Sequence, residues 1–294
     1  MSNVDQLVRT RFADQGVGTR RNWALPGGAK LAVWVVVNVE HWSADRPMPR
    51  TVLPPPMHKS LMPDLANWSW HEYGMRVGYW RFVDVLSRRK IRPSLAINGS
   101  ACSIYVEACK AALSLDWEFM GHGLYQMPMH DVADQLDAMV KTREAIHAVT
   151  GRYPIGWESP GITQTRDTVN LLAKAGYKYV ADWVVDDVPF EIGMVDSPIV
   201  SLPYTVEVND VVMSAVQGHG SDMILQRGRD QFNQLYREAS AGAPKVMTIS
   251  IHPYLTGVPH RIGYLEQLLD HIAKHEDIVF ATGEDIYGWY MDGQ

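Results

Sequence analysis

Cysteine is nearly absent, with two in 294 residues, Cys102 and Cys109. Seven positions apart on one straight helix, they would lie roughly 10 Å apart along its axis, beyond disulfide reach. That excludes a disulfide framework and fits a reducing compartment. Positive charge is also in short supply. Twenty-seven Lys and Arg face 33 Asp and Glu, a net charge of −6. A nucleic-acid partner is therefore not expected, because phosphate binding needs a concentrated basic surface. The basic run "SRRK" at 87–90 reads as the solvated end of a helix. No stretch approaches the ~18 apolar residues of a membrane-spanning helix. The opening segment "MSNVDQLVRTRFADQG" lacks the apolar centre of a signal peptide. The expectation is a cytoplasmic protein with no membrane partner.

Apolar residues make up 46% of the chain, enough for a sizeable core, and they come in a repeated order. Strand-like runs at 31–39, 91–98, 117–123, 154–161, 177–183, 245–253 and near 277–282 alternate with helical patterns at 76–90, 102–114, 131–149, 165–175, 222–240 and 260–274. Strand–helix alternation without a Gly-x-Gly-x-x-Gly predicts an α/β fold with a parallel sheet, open or closed into a barrel. The region 184–220 reads as short strands and loops. Residues 43–75 hold Pro47, Pro49, Pro54, Pro55, Pro56 and Pro63, which predicts a long irregular covering loop. Its Trp68, Trp70, His71 and Tyr73 are costly to leave in water. One domain over 1–294 is expected.

The strands share a habit. The first, "LAVWVVVNVEHW" at 31–42, runs into Glu40, His41 and Trp42, and the others end at Asn98, His122, Glu158 and His252. In a (β/α) barrel such ends form one face, where active sites lie.

Four of these segments resemble the motifs of the polysaccharide deacetylase superfamily: "NVEHW" (38–42), "HGLYQ" (122–126), "GWESP" (156–160) and "ISIHP" (249–253). The resemblance implies an irregular (β/α) barrel of about seven parallel strands. "EYGMRVGYWR" (72–81), "PIGW" (154–157), "DDVPF" (186–190), "PYTVEVNDV" (203–211) and "IHPYLTGVPHRIGYLEQLLDHI" (251–272) look like the metal-independent bacterial allantoinase branch, with cyclic imide hydrolases as relatives. That likeness implies hydrolysis of a C–N bond in a small cyclic amide, and a homo-oligomer such as a tetramer. "GWESPG" stands where the branch has "GWYTGR", which removes a ureide-binding arginine and tilts the expectation toward a cyclic imide.

Several positions depart from the superfamily. Its metal triad of Asp-His-His corresponds to His41, His122 and Gln126, and Gln is a poor zinc ligand. Glu158 stands where the motif has arginine. Two carboxylates, Glu40 and Glu158, would then share a site, so either a bound cation lies between them or one holds a proton. If a divalent metal is present, zinc is the expected ion, with His41, His122 and Glu158 as ligands.

Amide hydrolysis needs a base for water, a stabiliser for the oxyanion and a proton for the leaving nitrogen. Glu40 is the expected base, its pKa lifted toward neutrality by burial. His122 would hold the water or polarise the carbonyl, and His252 would protonate the nitrogen. Trp42 and Trp157 are candidate walls for a ring, and Asn98, Gln126, Glu158 and Arg76 candidate polar anchors. Competing expectations are a metal-dependent N-deacetylase of an acetylated carbohydrate and a non-catalytic barrel that binds a small molecule.

Overall fold

The computed structural model describes residues 3–12, 23–193 and 197–293. Nine strands form one sheet: β1 (Leu31–Val39), β2 (Ser94–Ile97), β3 (Glu118–Gly121), β4 (Gly156–Trp157), β5 (Tyr179–Val180), β6 (Phe190–Glu191), β7 (Val200–Ser201), β8 (Lys245–Ile251) and β9 (Ile278–Ala281). Their order is β6-β7-β5-β4-β3-β2-β1-β8, with β9 added on β1. Among the described residues only the β6–β7 pairing is antiparallel. β9 pairs with Leu31–Trp34 of β1 and β2 with Val36–Val39, so two short strands share one long strand. The opposite edge of β1 pairs with β8 from Leu31 to Val37.

β1 is buried along its whole length, as expected for a parallel strand covered on both faces. Its alternation assigns each face a core. Leu31, Val33, Val35, Val37 and Val39 pack outward under the helices. Ala32, Trp34 and Val36 point inward, where they meet Ala96 of β2, Met120 of β3, Tyr179 of β5, Val200 of β7 and Val246 of β8. Six strands can share one inner core only if the sheet is curled. The gap between its ends is bridged where Val246 N–H donates to Asp187 O at 2.9 Å and where Asn209 pairs with Ser250. The expected irregular α/β barrel is therefore present as a curled, mostly parallel sheet. The expected seven strands become nine, because 184–220 contributes β6 and β7, each of two residues.

The sequence misjudges two segments. Residues 43–75 are not irregular throughout: Leu65–Tyr73 is a helix whose N-cap, Asp64, accepts the Asn67 N–H at 3.2 Å. The prolines end at Pro63, so the chain beyond is free to coil. That helix runs through a π-helical turn, Gly74–Gly78, into the helix Tyr79–Arg88. The predicted helix 102–114 breaks at Tyr105 (φ −103°, ψ 52°) into Ala101–Ile104 and Val106–Ser114. Cys102 and Cys109 lie on either side of the break in one buried core, and both are free. No helix among the described residues is long and apolar enough to cross a membrane.

The covering segment is fixed by close backbone approach to the loop after β8. A Cβ on Gly74 would lie 2.4 Å from Tyr254 N, and one on Gly78 would lie 2.2 Å from Pro253 O. Only glycine allows that contact. Gly78→Ala is expected to destabilise the fold by about 1–3 kcal/mol through overpacking, seen as a lower midpoint in urea unfolding. An unchanged midpoint would show that the two backbones are not held together.

Candidate active site

The C-terminal strand ends meet around Glu40, the first residue past β1. It is 4% exposed. Trp42 Nε1 donates to Oε2 at 2.7 Å and Tyr254 O–H at 3.3 Å. Gln126 Nε2 donates to Oε1 at 2.8 Å. His252 Nε2 lies 3.5 Å from Oε1 and His122 Nε2 4.0 Å from it. The other side of His252 is held by Asp210, whose Oδ1 lies 2.6 Å from Nδ1 and whose Oδ2 accepts the His252 backbone N–H at 2.8 Å. The result is a buried chain, Asp210–His252–Glu40.

These contacts set the protonation states. Burial pushes Glu40 up, but the hydrogen bond and charge of His252, with help from His122 and His71, outweigh it and hold the carboxyl at about 2. Burial pushes His252 down, but Asp210 and Glu40 overcome it and raise the imidazole to about 10. At neutral pH the chain is anion, cation, anion. His122 behaves oppositely: burial drives it down to about 4, with Glu40 only partly compensating. Its Nδ1 is 2.9 Å from the Glu158 carbonyl oxygen, which can only accept, so Nδ1 carries the proton. Nε2 is then a bare lone pair, buried and without a partner. Glu158 is pushed up to about 8 by burial and by Asp182, and its Oε2 is also buried without a partner. At neutral pH this carboxyl holds a proton and is a donor.

The expected site residues fall into three groups. Glu40, His122, Glu158, Gln126 and His252 converge as anticipated. Asn98 serves as their frame: Nδ2 donates to the His122 carbonyl and to Gln126 Oε1, and Oδ1 accepts the His41 N–H at 2.8 Å. Trp42 orients Glu40 and stacks on His71 with ring centroids 4.4 Å apart, so it is a positioning residue and not a wall. Trp157 is fully buried in a separate core against Tyr177, because β4 turns its ring away from the strand ends. Arg76 is exposed on the π-helical turn and is not brought to the site.

Two chemical expectations fail. Glu40 is not lifted toward neutrality, because its neighbours are donors and a cation, not an apolar pocket. The ligand set His41, His122 and Glu158 does not assemble: the His41 ring pairs with Ser100 Oγ at 3.0 Å. Among the described residues no three His, Cys, Asp or Glu side chains gather to hold a metal. The nearest substitute, Glu40 with His122 and His252, is a poor fit, since His252 is protonated and a Gln126 N–H occupies Glu40 Oε1. These residues do not suit a divalent ion.

Sequence reasoning missed Asp210, Tyr254 and Asp182. Asp210 sits in a segment read as loop, where nothing in the local pattern shows that it faces His252 across 42 residues. Asp182 accepts from Ser159 N–H and Oγ, both at 2.7 Å, and so anchors the turn that carries Glu158.

The sequence profile of the polysaccharide deacetylase family matches residues 69–180. A Schizosaccharomyces pombe protein provisionally named polysaccharide deacetylase is 29% identical over 241 residues, 74% of each chain. The crystal structure of PuuE allantoinase superposes with a TM-score of 0.83 at 24% identity, over 96% of this chain and 98% of that one. A Pseudomonas aeruginosa PAO1 protein, provisionally named polysaccharide deacetylase, gives 0.81 at 25% identity, over 94% and 96%. The chain shares its fold with these structures.

The protonation chain has a pH signature. His252 is raised above its ordinary 6.5, so its pairing stabilises fully below that pH and is lost as pH rises through about 10. The difference in Tm between the wild type and Asp210→Asn should therefore be largest near pH 6 and shrink toward pH 10. A difference that stays constant over that range would contradict a charged His252.

Proposed function

We propose that the protein is a hydrolase that opens a carbon–nitrogen bond in a small cyclic amide, such as a cyclic imide or a ureide. The observation that carries this is the bare Nε2 lone pair of a neutral, buried His122, facing Glu40 Oε1 across 4.0 Å. One water spans such a gap. It would give one hydrogen bond to Nε2 and one to the carboxylate, leaving an oxygen lone pair aimed at a substrate carbonyl. His122 takes the proton as general base, and Glu40 orients the water and stabilises the imidazolium that forms. The protonated Glu158 donates to the carbonyl oxygen as it gains charge. The His252 imidazolium, 3.5 Å from Glu40, gives its proton to the leaving nitrogen. One water is consumed, the C–N bond breaks, and the product holds a carboxylic acid and an N–H. The proton on His122 and the vacancy on His252 are then exchanged with solvent.

The cavity beside Glu40 and Gln126 supports a small substrate. It measures about 460 Å³ and is lined in part by Pro47, Met48 and Pro49 of the covering segment, within the range of small-molecule sites. The similarity in fold to PuuE allantoinase favours a ring. The names of the relatives favour the second reading, release of acetate from an acetylated carbohydrate.

A panel of allantoin, hydantoin, dihydrouracil, succinimide, phthalimide and an acetylated chitooligosaccharide separates them. Ring opening is expected; acetate release without ring opening overturns the proposal. On the ring that is opened, His122→Asn should lower kcat by about 10²–10⁴-fold with the fold retained. Near-normal turnover would remove His122 as base.

A further inference from the structure

We propose that Arg50, assisted by Arg46, determines specificity by binding a carboxylate on the substrate ring, so that the preferred substrates are anionic cyclic amides. This rests on the ring-opening reading and adds the chemical class of the ring's substituent. Both arginines line the same cavity as Glu40 and Gln126. Arg50 is half-buried, and among the described residues its guanidinium has neither an ion pair nor a hydrogen bond. Among the described residues Arg46 makes no ion pair: it reaches Met127 Sδ at 3.8 Å and lies over the Tyr125 ring at 4.7 Å, with the exposed Asp45 carboxylate near enough to feel its charge. Arg143 and Arg227 likewise hold no carboxylate but are met by carbonyl oxygens. Arg88, Arg89 and Arg92 each hold a carboxylate within 2.7–3.1 Å.

A guanidinium presents five hydrogen-bond donors, which water or a ligand in the cavity can meet. A carboxylate meets two of them in parallel, which an ammonium in the same place would not reproduce. The carboxylates nearest the arginines are Asp131 and Asp45, both exposed, and Glu40, which shares the His252 imidazolium with Asp210. Arg46 and Arg50 are the cations that line the mouth. Their spacing is fixed. The connecting sequence is "RPMPR", 46–50, and Pro47 and Pro49 lock the backbone between the two cations. Such a spacer lowers the ordering cost of binding. A cavity of about 460 Å³ leaves room for a substituent beside a five- or six-membered ring.

The test uses the full chain and ring pairs that differ only by a carboxylate: dihydrouracil with dihydroorotate, and 5-methylhydantoin with hydantoin-5-acetate. The acid of each pair is expected to show a KM at least tenfold lower, with kcat changed far less. Arg50→Gln should remove that preference by raising KM for the acid at least tenfold more than for the neutral ring, and Arg50→Lys should restore part of it. Equal KM within each pair in the wild type, or an equal rise for both in Arg50→Gln, overturns the proposal. If no ring is opened, the function proposed above fails by itself. Calorimetric binding of the same pairs then decides the present point: tighter binding of the acids that is lost in Arg50→Gln supports it, and equal binding refutes it.

Discussion

A buried cation between two buried anions governs this site. His252 lies between Asp210 and Glu40, and all three are almost fully removed from water. Desolvating three charges is expensive, and the arrangement survives only if each remaining polar atom is met. Asp210 is met by the Thr256 hydroxyl at 2.7 Å and by the His252 backbone. Glu40 is met by an indole, an amide and a phenol. The ends of β1 and β8 supply Glu40 and His252, the N-cap of the π-helical segment Val211–Val216 supplies Asp210, and the covering segment supplies the packing that keeps water away: Trp70 and His71 close over Trp42 and Tyr254.

Once that chain is fixed, the remaining groups have little freedom. A carboxylate committed to a cation is a weak base. The neighbouring His122 is too buried to be charged and donates its one proton to a backbone carbonyl. Its free lone pair is then the most basic unmatched atom in the site. Glu158, beside Asp182, cannot lose its proton cheaply, which turns an apparent charge clash into a donor. The separation into one charged histidine, one neutral histidine, one charged carboxyl and one protonated carboxyl follows from which neighbour each has. The same partition makes a metal unnecessary for the proposed proton transfers, because each needed group is already supplied by a side chain.

Much of the architecture was legible in the sequence, and the reasons are local. The run 31–39 could only be a doubly buried strand, and it is one. The polar residues at 40, 98, 122, 158 and 252 stood at strand ends, so a parallel curled sheet had to bring them to one face. What was not legible depended on contacts across the chain. Nothing near Asp210 says that it faces His252, and without it the sequence gives no reason for His252 to stay charged. Burial alone suggested that Glu40 would be raised; the donors around it reverse the sign. His41 looked like a ligand because it stands where the resembling motif has a metal-binding aspartate, but just past the end of β1 its ring pairs with Ser100 Oγ. Trp157 looked like a wall because it is aromatic and near Glu158, yet its face of the strand belongs to the core. The helix Leu65–Tyr73 was obscured by the prolines that precede it.

The central claim is the assignment of protons to the two histidines. Nitrogen NMR of histidine-labelled protein at pH 7 reads it directly, with His122→Asn used to assign signals. The account predicts His252 as a doubly protonated imidazolium and His122 as a neutral ring carrying its proton on Nδ1. A neutral His252, or a His122 protonated on Nε2, would contradict it.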